Sequence, residues 1–211
     1  TVTAITEAMV EGHCRAGVAA TLKHFPNQGS TVEDPHELDS FSTNTPDDWA
    51  EFGSQPYSDT VAPLVMTGHI RYDSVDDETL TSMDALICGA PTWHTGADEQ
   101  RSGTAWDEFL YDRLPSLDLS GKKVAIFGLG DQGSYGDNFC DAAGELYDCF
   151  SAQGATMVGL TATDDYDYSD SKALRDGKFC GLLCDEDNEY DKSEGRANDW
   201  VEQLKGEGVA F

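Results

Sequence analysis

Two aromatic side chains, Trp93 and Tyr135, fall in loops whose other residues are small, hydroxylic, carboxylic or carboxamide-bearing: PTWHTG (91–96) and GDQGSYGDN (130–138). Flat faces beside short polar groups suit a planar ring with polar edges. Stacking on an aromatic side chain is worth about 1–3 kcal/mol per ring, and a few edge contacts fix orientation. The chemistry such a pair serves is that of a bound cofactor, which the protein positions and tunes. No Ser–His–Asp set and no acid–base pair stands out. The five histidines are scattered, and the six cysteines show no paired CxxC spacing of the zinc or redox kind.

Each loop follows a short run of apolar residues, ALICGA (85–90) and VAIFGLG (124–130). Unbroken apolar runs of this length mark strands buried on both faces of a parallel sheet. In open α/β sheets, ligands sit outside the carboxyl ends of such strands. Around them the sequence predicts a strand over 2–6, a helix over 12–25, a second strand within LVMTGHIRYD (64–73) and a brief helix or turn over 77–83. Trp106, Phe109, Leu110 and Leu114 have helical spacing and belong to the core rather than to a ligand. A helix capped by Asn138 runs to Gly154. A last strand over 155–160 gives way to a polar, tyrosine-rich excursion over 161–181, read as a solvated partner-facing loop or a stabilising flap. A closing helix spans 195–208 with Trp200, Val201 and Leu204 on one face.

Between 26 and 63 the chain is dense in Pro, Ser, Asp and Asn, which argues against a packed core element. Its aromatics, Phe41, Trp49, Phe52 and Tyr57, are too many for a plain linker. The expectation is one domain, 1–211, carrying an insertion that presents a surface to a protein partner.

Forty acidic against thirteen basic residues give a formal charge of −27. Such a surface repels nucleic acid and steers encounters with basic partners, although a solubilising role accounts for it as well. No apolar run approaches the ~18 residues needed to span a bilayer. Because the first residue is Thr1 rather than Met, a leading segment, with any targeting peptide, is expected to have been removed. Buried thiols acting as small apolar side chains are the expected role of the cysteines, in a reducing compartment.

The segments GAPTWHTGADEQRSGTAWDEFLYDRLP, AIFGLGDQGSYGDNFCDA and DSKALRDGKFCGLLCDEDN, followed by WVEQLK, resemble the long-chain flavodoxins of cyanobacteria and algae. The resemblance covers about the last two thirds of the chain. It implies a flavodoxin-like three-layer α/β sandwich, with a five-stranded parallel sheet of order 2-1-3-4-5 and the long-chain excursion in the last strand. It implies flavin mononucleotide (FMN) as cofactor, with Tyr135 and Trp93 stacking on the ring and Thr92, His94, Gly96, Asp131 and Asn138 around its edge. Asp187 would lie near the ribityl hydroxyls. His94 stands where the family usually has Asn.

In that family a Thr/Ser-rich loop holds the phosphate at the start of the first helix. Gapless alignment puts Met9, Val10, Glu11, Gly12, His13 and Cys14 there, and only Gly12 matches. Each missing hydroxyl contact to a charged phosphate is worth about 1.5–3 kcal/mol. Two functions of different class therefore stand side by side. One is a low-potential, one-electron carrier using FMN between photosystem I and ferredoxin–NADP reductase, in the chloroplast stroma or peripherally on the thylakoid. The other is an FMN-less, flavodoxin-derived structural or docking subunit of a photosynthetic complex. A riboflavin-type binder is a third. None of the three is an enzyme.

Overall fold

The structure, a computed structural model, describes residues 77–209 throughout. Ahead of them it describes residues 6, 8–11, 15, 21–25, 41–42, 64–67 and 71–72. The chain divides into two compact units, Thr1–Asp76 and Asp77–Phe211, where the sequence alone anticipates one domain with an insertion.

In the first unit, strand β1 (Thr21–Phe25) pairs in parallel with β3 (Leu64–Thr67), and β2 (Phe41–Ser42) pairs in parallel with β4 (Arg71–Tyr72). Four expectations are corrected in this unit. Thr6 is helical rather than part of a first strand, and Met9, Val10 and Glu11 are helical rather than the turn that follows such a strand. Ala8, Met9 and Glu11 are good helix formers, and propensity prevails over the alignment there. Thr21–Phe25, expected to end a helix, is a strand because LVMT offers it a parallel partner, and such pairing overrides a weak helical pattern. Phe41 and Ser42 lie in a strand inside the stretch expected to be irregular. The rest of that stretch and Gly12 lie outside the described residues.

The second unit carries every cofactor-site candidate except Gly12. Helix α1 (Asp77–Ser82) leads into β5 (Ala85–Pro91), which pairs in parallel with β6 (Lys123–Leu129) over its whole length. Helix α2 (Trp106–Glu108) runs on through a π turn (Phe109–Arg113) and a 3-10 turn (Leu114–Ser116). Pro115 sits at the start of the 3-10 turn, where its missing N–H costs nothing. Helix α3 (Asp141–Ala152) begins after Cys140, held at φ +54°. Asn138, expected to cap this helix, lies instead in a 3-10 turn before it.

The other edge of β6 is shared. Strand β7 (Thr156–Val158) pairs with Lys123–Ala125, and β10 (Gly181–Cys184) with Ile126–Leu129. One strand position is thus split by an excursion, as the sequence predicts. Among the described residues the sheet order is β5, β6, then β7 with β10. Helix α4 (Tyr190–Gly206) closes the unit.

Alternation along β6 builds both cores. Val124 and Ile126 pack with Ala142, Ala143, Leu146 and Phe150 of α3. Ala125 packs with Val158, Leu182, Trp200 and Leu204. Two faces covered by helices is what an all-apolar strand requires. The second face is covered only in part: Ile87 is 42 %, Phe127 37 % and Leu129 39 % exposed. Cys88, Cys140, Cys180 and Cys184 are buried and free.

The excursion is packed and behaves as a flap rather than a free loop. Strands β8 (Leu174–Arg175) and β9 (Lys178–Phe179) form a hairpin, and Tyr166, Tyr168 and Phe179 surround Phe139. Gly144 of α3 meets it so closely that a Cβ would lie 2.0 Å from the Lys172 carbonyl oxygen. Gly144→Ala gains about 1 kcal/mol of helix propensity but forces an overpacking cost of about 3 kcal/mol. Urea unfolding is expected to show a net loss of about 2 kcal/mol.

Candidate cofactor site

The loops after β5, β6 and β10 converge at the carboxyl end of the sheet and enclose a cleft of about 310 Å³. The first loop supplies Thr92 and Trp93, the second Asp131, Tyr135 and Asn138, and the third Asp187. Six of the nine candidate residues thus line one cavity. Trp93 is 67 % and Tyr135 53 % exposed, so both rings present free faces.

Gly96 and His94 lie in the first loop but not on the cleft wall. Gly96 holds φ +77°, a conformation that favours glycine. His94 turns back into its own loop: Nδ1 lies 2.8 Å from the Gln100 carbonyl oxygen and 3.8 Å from Asp107. A carbonyl only accepts, so Nδ1 carries the proton. Pro91, Thr95, Leu129, Gly130 and Glu186 also line the cleft. Glu186 was legible as a neighbour of Asp187 in LCDEDN; Leu129 and Gly130 were legible as the end of the strand that Tyr135 follows.

Hydrogen bonds to side chains hold these loops. The Thr92 hydroxyl accepts the N–H of Ala142 at the start of α3 (3.1 Å). Asp131 accepts the N–H of Ser134 (2.8 Å) and an amide hydrogen of Asn188 (2.8 Å). Those contacts hold its carboxyl below the usual range, the Ser134 backbone contributing most. The Tyr135 turn is braced by the excursion, since Ser169 and Asp170 both donate their N–H to the Gly136 carbonyl.

Asp185 lies under the third loop and is fully buried. It accepts the N–H groups of Gln132, Asp187 and Asn188 and the Asn188 side-chain amide. One carboxylate thereby ties the second loop to the third. A buried charge is tolerated only when so fully hydrogen-bonded. Beyond it, Glu189 pairs with Lys192 and with Arg196, each within 2.8 Å. Burial raises its pKa, but hydrogen bonds from those two residues and Gln132 outweigh that and bring it down to about 2.

A parallel α/β sheet with an aromatic-flanked cleft at its carboxyl end, where carboxylates and a carboxamide join a largely apolar wall, is the arrangement of the doubly wound class. The comparisons give this class a family. The flavodoxin family model matches residues 66–200. A flavodoxin of Nostoc sp. is 50 % identical over 128 residues, covering 61 % of this chain and 72 % of the relative. Flavodoxin 2 of Escherichia coli K12 is 37 % identical over 161 residues, covering 75 % and 90 %. A Fusobacterium nucleatum flavodoxin, solved with flavin mononucleotide bound, superposes with a TM-score of 0.57 at 30 % identity over 69 % of this chain and 82 % of that one. The chain belongs to the flavodoxin family, whose members are electron carriers that work by meeting protein partners.

The flavodoxin match begins at residue 66, downstream of Gly12 and of the whole stretch aligned above with the phosphate loop. Residues 1–90 match a second family model, the glycosyl hydrolase family 3 N terminal domain. The residues present fit the ring of a flavin at Trp93 and Tyr135; of the stretch aligned with the phosphate loop, Gly12, His13 and Cys14 lie outside the described residues.

Asp185→Asn leaves one acceptor oxygen for four donors and turns an NH₂ toward them. A loss of about 2–3 kcal/mol is expected for unsatisfied buried donors, read as a lower urea midpoint.

Proposed function

We propose that this flavodoxin-family protein binds FMN between Trp93 and Tyr135 and carries single electrons between protein partners. The observation that carries the reading is the cleft itself: two exposed aromatic faces at the carboxyl end of a parallel sheet, with Thr92, Asp131, Asn138 and Asp187 on the same wall. Bound there, FMN would supply reversible one-electron chemistry. The protein's share is to stack the ring, exclude water from its faces and set the charge around it. With Asp131, Glu186 and Asp187 lining the cleft, added negative charge is disfavoured, and the last reduction step falls to low potential.

The acidic excess supports partners with basic docking surfaces, and resemblance to the cyanobacterial and algal type makes photosystem I and ferredoxin–NADP reductase the partners of choice. A stromal or thylakoid-peripheral location follows from that assignment. No helix of the described residues is long and apolar enough to cross a membrane. Association with such a partner is expected to weaken at least tenfold between about 50 and 500 mM salt, and a salt-independent affinity overturns the docking assignment.

The FMN-less structural subunit is the second reading, favoured by one observation: the flavodoxin family model begins only at residue 66, and a different family model matches residues 1–90. Absorbance of the purified protein with added FMN separates the two. The carrier reading expects flavin bands near one per chain. Trp93→Ala and Tyr135→Ala are each expected to weaken binding about 5- to 150-fold, the equivalent of about 1–3 kcal/mol of stacking. A protein that stays colourless at millimolar FMN contradicts it.

A further inference from the structure

Glu145 is a carboxylate on a core-facing turn of α3, only 3 % exposed, with no lysine, arginine or histidine paired to it among the described ion pairs. It compensates by accepting three hydrogen bonds. Two come from consecutive backbone N–H groups, Gln100 (2.7 Å) and Arg101 (2.8 Å), and the third from the Tyr111 hydroxyl (2.5 Å). Gln100 takes φ +58°, the left-handed turn that aims adjacent N–H groups at one anion.

The same two residues hold His94 from their other side. The Arg101 carbonyl accepts the His94 backbone N–H (3.0 Å), and the Gln100 carbonyl accepts from its ring Nδ1 (2.8 Å). His94 is bonded directly to Trp93, whose ring flanks the cleft. At the loop's beginning, Ala142 of the same helix donates to Thr92. Helix α3 therefore grips the Trp93 loop at both ends, and the far grip is a single carboxylate.

We propose that Glu145 is a positioning residue for the cofactor site: acting through the Gln100–Arg101 peptide and His94, it fixes the main chain that carries Trp93 against the cleft. The residue touches no ligand. Its effect on FMN rests on the carrier reading above, while its effect on the loop does not.

The test is Glu145→Gln in the full chain, followed by amide exchange and FMN titration. Glutamine has one acceptor oxygen and directs an NH₂ at donors, so at least one of the two backbone N–H groups loses its partner. Exchange at His94, Gln100 and Arg101 is expected to accelerate at least tenfold, while the amides of β6 stay protected. The FMN dissociation constant is expected to rise about tenfold. Asp148→Asn is the control, because Asp148 sits on the same helix, is exposed and accepts its hydrogen bond from Arg175 of the excursion rather than from this loop; it should leave both readouts within twofold. Unchanged exchange at His94 overturns the positioning role whether or not FMN binds. Accelerated exchange with an unchanged dissociation constant overturns its relevance to the cofactor. Failure of the unaltered chain to bind FMN sinks the carrier reading instead, and the exchange result still decides what Glu145 does.

Discussion

The second unit depends on burying negative charge where backbone N–H groups can meet it. Asp141, Glu145 and Asp185 are each no more than 3 % exposed, and a carboxylate so placed is tolerated only if its oxygens are filled with donors. Each is filled by loops. Asp141 accepts from the Lys172 N–H of the excursion and from Asn138. Glu145 accepts from the Trp93 loop, and Asp185 from the second and third loops. Long segments at the sheet end are thus fixed by a few strong, charge-assisted contacts, to which the excursion adds its own hairpin and aromatic packing.

That device explains how a cleft walled by loops can be specific. Trp93 and Tyr135 are mostly exposed, so their packing alone does not fix them. The rigid parts lie beneath: α3 holds one loop, the excursion braces the turn after Tyr135, and Asp185 ties the remaining strand ends together. Acidic groups then serve two ends in this chain. Buried ones organise the site, and the many exposed ones set the field that a basic partner and a charged cofactor would meet.

Much of this second unit was legible in the sequence. Apolar runs at 85–90 and 124–130 announced parallel strands, and the residues just beyond them, Trp93, Asp131, Tyr135 and Asn138, do line one cleft. The split strand and its excursion were legible as well. His94 misled, because its place in the motif says nothing of the Gln100 carbonyl that draws the ring inward. Glu145 and Asp185 were invisible for a different reason. A carboxylate in an acidic chain looks like solvent-facing charge until backbone N–H groups from distant parts of the sequence are folded onto it. Asn138 stands two residues ahead of the true cap, since capping preferences do not foresee the left-handed Cys140. At the front of the chain, strand pairing between Thr21–Phe25 and Leu64–Thr67 overrode a short helical pattern, as long-range β contacts do.

The most direct test of the central claim, that the Trp93–Tyr135 cleft holds a flavin, is a crystal structure of the chain grown with FMN. The isoalloxazine ring is expected to lie stacked between Trp93 and Tyr135, with Asn138 and the Thr92 loop at its edge. Density for the flavin elsewhere, or a cleft between those two rings that remains free of flavin at saturating FMN, would contradict it.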